Sequence, residues 1–533
     1  MNYRYQSSSR WAAAGFTAAL LTTVSSTALA QTASQSASQA ASEARILALE
    51  SQVQALAAQL QELKESAAVQ IDQIADLKSS GAAQIKDLRT AQAATTVSLA
   101  NGRPTFATAD GQFTASIRGV LQFDAALYDQ ASAGPIATDF RRGSFNDAAE
   151  NDRARDLNDG TNFRRARLGV EGKAFGAFQY NFIYDFGGSG VEEAGKISSA
   201  WLQYNLPTKA PIGLRVGAFA PPTSLEDAAS SNSSLFPERA SPAELVRSLA
   251  GGDGRTAIGV FSNGERWNVS ASLTGNLVAA QTFDEQLGFV GRASFVPFKG
   301  FDWVTHVGVN ANLVIEPPAS GPEIPGGAVR NVRLRERPEL RVDATRLVDT
   351  NNIDADSATA LGLELGAQKK SLYVQGEYFK IDVDRRIGLL PDPDFSGWYA
   401  QGGWLLTGGA RRYSTATAGF DGPRVTKPFD WRKGQWGEIE LAARYSHLDL
   451  NFREGTGTLV PVGSIRGGEQ DVISLGVNWY LNNVVNLEFA YRDVSVDRLS
   501  PGGAAFIAGS TPPAGAQVGQ DLNIWSLRTQ YAF

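Results

Sequence analysis

Arginines at alternate positions along short apolar–polar stretches are the chemically most pointed residues of this sequence. Arg118, Arg165, Arg167, Arg215, Arg292, Arg444, Arg492 and Arg528 each fall on the polar side of such a stretch. A guanidinium keeps its charge at any relevant pH and can meet an oxyanion through two N–H groups at once. A row of them suits small anions that enter and move on, provided no single site binds too tightly. The same faces carry Asp124, Glu171, Asp185, Glu364, Glu440 and Glu488, so ion pairs that stiffen a wall explain the pattern equally well. Bond-making chemistry has few candidates. The chain has no Cys and only two His, which removes disulfides, thiolate metal sites, Cys nucleophiles and a lipid-anchored N-terminal Cys. His306 and His447 lie on separate stretches and no Gly-x-Ser-x-Gly elbow is present, so no catalytic residue, metal site or cofactor is expected. A net charge of −6 over 533 residues gives no reason to expect a nucleic-acid partner.

The elements that hold these arginines follow from periodicity. From Phe113 onward the pattern has period two: Phe113, Ala115, Ile117, Leu121, Phe123 and Leu127 alternate with Thr114, Ser116, Arg118, Gln122 and Asp124. Reading the rest in the same way predicts strands near 113–128, 163–173, 178–186, 196–204, 214–219, 256–261, 267–274, 287–296, 303–312, 358–369, 371–380, 395–406, 437–447, 471–481, 484–493 and 521–533. Their connections alternate long and short, which separates a transmembrane barrel from a soluble sandwich. Two stretches resist. The connection from Thr407 to Gly437 is long where a short turn is due, and the Arg-rich stretch 330–346 has to be a loop for the count to hold. The fold expected is an all-β transmembrane barrel of about sixteen antiparallel strands, whose closure leaves no unpaired backbone edge in lipid. A lumen of that width is an aqueous channel unless loops narrow it. Ala220 to Arg255 is the natural constriction, with a surface loop as the alternative.

The N-terminal region reads differently. Arg4 and Arg10, the apolar run Trp11–Leu21 and Ala28-Leu29-Ala30 make residues 1–30 a signal peptide. Residues 31–45 read as a linker. Over 46–90 a heptad seam, Ile46, Leu49, Val53, Leu56, Leu60, Leu63, Ala67, Ile74, Leu77 and Leu88, predicts a coiled-coil helix that needs a partner helix or a surface to lie on. A second linker, 91–112, leads to the barrel at 113–533.

Several motifs in order resemble a known family. Phe163-Arg164-Arg165-Ala166-Arg167-Leu168-Gly169, Leu214-Arg215-Val216-Gly217-Ala218-Phe219, Pro237-Glu238-Arg239, Phe395-Ser396-Gly397-Trp398-Tyr399, Glu440-Leu441-Ala442-Ala443-Arg444-Tyr445-Ser446 and Gly476-Val477-Asn478-Trp479-Tyr480 are similar to the phosphate- and polyphosphate-selective porins of Gram-negative outer membranes. The resemblance implies a homotrimer in outer-membrane lipid and lipopolysaccharide, inward-folded loops, and an arginine-lined path for small anions such as phosphate. It implies that Arg164, outward by strict alternation, is turned inward, and adds Arg239 to the path. Two positions depart from the family pattern, Ala220 and Asn232, where basic residues are usual. In the constriction, Arg239, Arg247 and Arg255 are offset by Glu226, Asp227, Glu238, Glu244 and Asp253. The expected function is therefore passive diffusion with anion preference. A weakly selective porin is one alternative, and an envelope protein whose helix tethers or spaces the barrel in the periplasm is another.

Overall fold

The structure, a computed structural model, describes residues 34–130, 157–188, 195–278, 280, 282–322, 329–386, 388–502, 514–515 and 517–533. The expected signal peptide lies outside them.

Alternating residues, bounded by tight turns or polar loops, form sixteen antiparallel wall strands. They are β1 Thr114–Gln130, β2 Gly160–Ala174, β3 Phe178–Asp185, β4 Lys196–Leu206, β5 Ile212–Phe219, β6 Arg255–Asn263, β7 Trp267–Leu277 and β8 Leu287–Phe295. The wall continues with β9 Trp303–Glu316, β10 Ile353–Lys369, β11 Leu372–Arg385, β12 Asp394–Leu405, β13 Glu438–Phe452, β14 Ile465–Tyr480, β15 Val485–Asp497 and β16 Leu522–Ala532. Each pairs with its sequence neighbour, and β16 pairs with β1 from Leu522↔Gln130 to Ala532↔Val120, which closes the barrel. Closure is completed by the terminal residue: Phe533 N–H donates to Gly119 O at 2.9 Å and Gly119 N–H to Phe533 O at 3.1 Å. The Phe533 ring lies 2.4 Å from where a Cβ at 119 would sit, so a side chain there would have to displace the ring.

The strands run further toward the long-loop end than alternation suggested, for a physical reason. On β11 the outward residues change from Leu372, Val374 and Tyr378 to Lys380, Asp382 and Asp384, while the inward ones change from Gln375 and Glu377 to Phe379, Ile381 and Val383. β13 repeats this: outward Leu441 and Tyr445 give way to His447 and Asp449, and inward Glu440 and Arg444 to Leu448 and Leu450. The hydrophobic phase inverts where the wall leaves the apolar band. Rings mark the boundary: Trp398 lies 5.1 Å from Tyr445, and Tyr491 4.5 Å from Trp525. Below it, Leu361, Leu363, Leu365, Val374, Leu475 and Val477 stand exposed outward, an apolar surface that suits lipid and not water. Above it, the interior is a packed apolar core that includes Phe379, Ile381, Leu448, Leu450, Val472, Val494 and Ile524. The lumen is therefore not polar throughout, contrary to expectation.

Stretch 330–346 supplies no full wall strand: Asn331–Val332 pairs only with the first residues of β10, Asn331 with Asp354 and Val332 with Ile353, while Arg335–Glu336 pairs with Val348–Asp349 in a separate two-stranded sheet. Ahead of the barrel, α1 runs Ser34–Ala94, so the expected linker 31–45 is helical from Ser34. The second expected linker, 91–112, contains the short strands Thr95–Ser98 and Thr105–Thr108, and Thr105 pairs with Ser116 of β1. Seam residues Ile46, Leu49, Val53, Leu56, Leu60, Leu63, Ile74 and Leu77 are exposed on the single chain.

Candidate functional site

Residues 220–254, between β5 and β6, fold into the barrel and not over its rim. Two short helices shape the loop: α2, Leu225–Ala228, and α3, Ser241–Ala250, which carries Pro242 in its first turn and buries Ala243, Leu245, Val246 and Leu249 in the upper core. Wall side chains hold the loop through its backbone. The Glu377 carboxylate accepts from Leu225 N at 2.8 Å and Glu226 N at 3.0 Å. Asn478 donates to Leu235 O at 2.9 Å, Gln530 to Asn232 O at 2.9 Å, and Arg444 to Glu238 O at 3.0 Å. These partners sit on β11, β14, β16 and β13, so the loop crosses the lumen to the opposite wall.

Two further segments enter. Between β9 and β10, Glu339 sits at a positive φ of 57°; it accepts from Ser241 N at 2.9 Å, Ser446 Oγ at 2.5 Å and Arg444 Nη2 at 2.5 Å. Arg341 reaches Glu244 at 2.7 Å. From the short-turn end, the anomalous connection 406–437 folds inward as the hairpin Arg412–Ser414/Gly419–Asp421. Phe420 packs on Tyr373 at 4.9 Å, and Arg292 donates to Thr417 O at 3.0 Å and Ala418 O at 2.8 Å. Its Arg411 forms a two-bond pair with Glu440 at 2.7 and 2.8 Å. A polar cavity of about 570 Å³ remains beneath, lined by Arg103, Arg118, Asn232, Arg412, Arg424 and Gln530 among others.

The lumen arginines divide into two groups. Arg292 pairs with Glu364 at 2.8 Å, Arg444 with Glu226 at 3.1 Å and Glu339 at 2.5 Å, and Arg528 with Asp124 at 2.6 Å. Arg167 pairs with Asp185 at 2.7 Å, Arg118 with Glu171 at 3.3 Å, Arg239 with Asp227 at 3.0 Å, and Arg247 with Asp227 at 2.5 Å. Arg164 is turned inward by an irregularity. The β1/β2 register steps from Gln122↔Arg165 to Phe123↔Phe163, skipping Arg164, which is buried and meets Glu238 at 2.5 Å. In the second group no carboxylate lies within ion-pair distance among the described residues. Arg165 donates to Gln122 Oε1 at 2.6 Å, Arg215 to Gln203 Oε1 at 2.8 and 3.0 Å, and Arg492 to Ser526 Oγ at 2.9 Å. Arg255 bonds only carbonyls: Gly251 at 2.8 Å, Gly275 at 3.1 Å and Ser248 at 3.3 Å. Ala220 is half-buried at the loop entry, and Asn232 contributes its carbonyl and not a charge.

Electrostatics in the loops is shaped by burial. Burial pushes the Glu226 carboxyl up to about 7 against the pull of Arg444 and Arg239. Glu336 is likewise raised to about 7, by burial and by Glu244. For Glu244 burial also pulls upward, yet Arg247, Arg341 and Arg239 together hold it at about 2.

Alternation found the lumen acids Asp124, Glu171, Asp185, Glu364 and Glu440 as partners, and the same signal on β11 points to Glu377. Glu339 and Arg341 had no such signal, because they belong to an irregular loop. His306 is buried between the Tyr413 hydroxyl at 2.8 Å and the Glu364 carboxylate at 3.0 Å, and His447 faces outward 3.0 Å from Asp471.

The family model described as phosphate-selective porin O and P matches residues 137–533. Porin O of Pseudomonas aeruginosa is 26% identical over 423 residues, covering 77% of this chain and 90% of that protein. An uncharacterized protein of Caulobacter vibrioides is 24% identical over 391 residues, 71% of this chain and 67% of that one. Among solved structures, the trimer form of OmpT from Vibrio cholerae aligns over 79% of this chain and 99% of its own, with 11% identity and a TM-score of 0.44. An anion-selective porin from Comamonas acidovorans aligns over 79% and 100%, with 11% identity and a TM-score of 0.43.

Proposed function

This chain belongs to the phosphate-selective porin O and P family, and from that premise we propose that its lumen is an anion path in which the arginines lacking carboxylate partners carry the selectivity. The protein is a channel of the Gram-negative outer membrane. Transport is passive diffusion through the space left by the inward segments, and no bond is made or broken.

One observation carries the reading: Arg165, Arg215, Arg255 and Arg492 line or border the lumen with amide, hydroxyl or carbonyl partners only. An unpaired guanidinium in a low-dielectric surround attracts anions far more strongly than one already neutralised. The paired arginines Arg118, Arg164, Arg167, Arg239, Arg247, Arg292, Arg444 and Arg528 fix the wall and the inward segments. The decisive measurement is the reversal potential in a salt gradient across a planar bilayer, followed by phosphate titration of the conductance. Anion preference with saturation by phosphate is expected. Cation preference sinks the reading, and indifference to phosphate reduces it to a general anion porin.

The same reading extends to assembly and domain order. The exposed heptad seam of α1 supports self-association, a homotrimer in the family pattern, with residues 46–90 as a periplasmic coiled coil. Residues 1–30 act as the signal peptide and 113–533 as the pore domain.

A further inference from the structure

On the outward face of the wall, just beyond the apolar band, β13 and β14 bring together one imidazole and two carboxylates. Cross-strand register sets His447 directly opposite Asp471, and Glu469 lies one outward position further along β14. His447 Nδ1 is 3.0 Å from Asp471 Oδ1 and 3.7 Å from Glu469 Oε1, and one ligand atom from each of the three lies within 4.8 Å of the others. With metal–ligand bonds of about 2.1 Å, neighbouring ligand atoms lie about 3.0 to 3.4 Å apart, for octahedral and tetrahedral angles respectively. The set therefore needs only a small side-chain closure to chelate. All three side chains are part-exposed, so a cation can reach them from outside. The Tyr445 hydroxyl donates to Asp471 and fixes that carboxylate, as groups behind a metal ligand do. The surrounding charge is one-sided. Register places Asp449 opposite Glu469 and Glu469 opposite Asp497, and like charges so placed repel. No Lys or Arg lies within ion-pair distance of these four carboxylates among the described residues.

We propose that His447, Glu469 and Asp471 form a binding site for a divalent cation of the zinc class on the outward face of the barrel. The site is separate from the lumen and does not depend on the anion path. A nitrogen donor beside two carboxylate oxygens suits a borderline metal, whereas magnesium and calcium are served by oxygen ligands. Three protein ligands leave the remaining positions to water on the exposed side. A bound cation offsets the carboxylate repulsion and cross-links β13 to β14 where their outward faces turn polar.

The test titrates zinc chloride into the folded chain in detergent, carrying no affinity tag, by calorimetry with magnesium present throughout. The expected result is saturable zinc binding that magnesium does not suppress. His447→Ala and Glu469→Gln, both changes of part-exposed side chains, should each raise half-saturating zinc about tenfold or more, and Tyr445→Phe, which frees Asp471 to turn, about tenfold. Asp497→Asn removes a charge from the same patch without removing a ligand, so its half-saturation should stay within about twofold of wild type. Absence of saturable binding in the wild-type chain overturns the site, as does unchanged half-saturation in His447→Ala. An effect of Asp497→Asn as large as that of Glu469→Gln also overturns it, because the patch would then attract cations diffusely and not chelate one.

Discussion

Arg164 and Glu238 form a buried two-bond pair, Nε to Oε1 at 2.5 Å and Nη2 to Oε2 at 3.2 Å, although strict alternation along β2 would send Arg164 into lipid. The skipped residue in the β1/β2 register reverses its direction, and a bulge of this kind re-aims one side chain while its neighbours keep their faces. Glu238 also meets Arg528 at 3.2 Å and Arg341 at 3.6 Å, so one loop carboxylate gathers guanidiniums from two wall strands and a second loop. Glu238→Ala should lower stability by about 3–5 kcal/mol, because it strands buried charge. Arg164→Ala should cost less, since Glu238 keeps its other partners. Chemical unfolding of the two variants in detergent checks the order, and equal effects would contradict it.

The protonation of Glu226 predicts a pH-dependent selectivity. Its folded value of about 7 lies above its ordinary 4.5, so between these values the folded chain holds a proton that the unfolded chain releases. This group's contribution to stability therefore falls as pH rises from about 4.5 to 7 and is flat outside that window. As pH drops through 7, Glu226 loses its charge beside Arg444, and anion preference should rise. Glu336, also near 7, adds in the same direction. The anion-to-cation permeability ratio measured from pH 8 to 6 should increase in wild type, respond less in Glu226→Gln, and be flat in the double variant with Glu336→Gln.

Paired and unpaired arginines should separate by phenotype. Arg215→Gln removes a charge held only by Gln203 and by rings, Trp201 at 4.1 Å and Phe261 at 4.5 Å. It should lower the permeability ratio several-fold with little loss of stability. Arg292→Gln abandons Glu364, whose side chain is fully buried; it should cost a few kcal/mol and shift selectivity far less. Reversal potentials and unfolding midpoints on both variants decide, and the reverse pattern would refute the division.

Gly119→Val should impair closure. The Phe533 ring leaves no room for a Cβ, so either the ring is expelled or the β1/β16 seam shifts. The expected outcome is a lower yield of folded barrel, read as heat-modifiable mobility on a gel.

Deleting residues 43–90 tests the helix. If its seam drives association, the variant should dissociate at lower detergent or temperature than the full chain, measured by light scattering. Unchanged assembly would assign that role to the barrel wall.

The strand order, the sixteen-strand count and the inward direction of most arginines were legible, because period-two alternation is a local property. Strand ends toward the long loops were missed where the lipid band stops: at Tyr378 and Tyr445 the apolar and polar faces exchange, and an alternation template sees this as the end of a strand. The length of the connection from Thr407 to Gly437 marks it as anomalous but not as an inward hairpin, since only Phe420 against Tyr373 and the carbonyls facing Arg292 reveal where it goes.

The sequence by itself therefore determined the wall, its membrane setting and the supply of lumen charge. Which of those charges remain available was decided only by tertiary structure. Pairing depends on loop residues such as Glu226, Glu238 and Glu339, brought from 74 to 290 positions away in the chain, and no local pattern encodes that distance. Arg444 and Arg492 have equivalent places in the alternation; one is neutralised and the other is not, because only Arg444 lies within reach of two inward carboxylates.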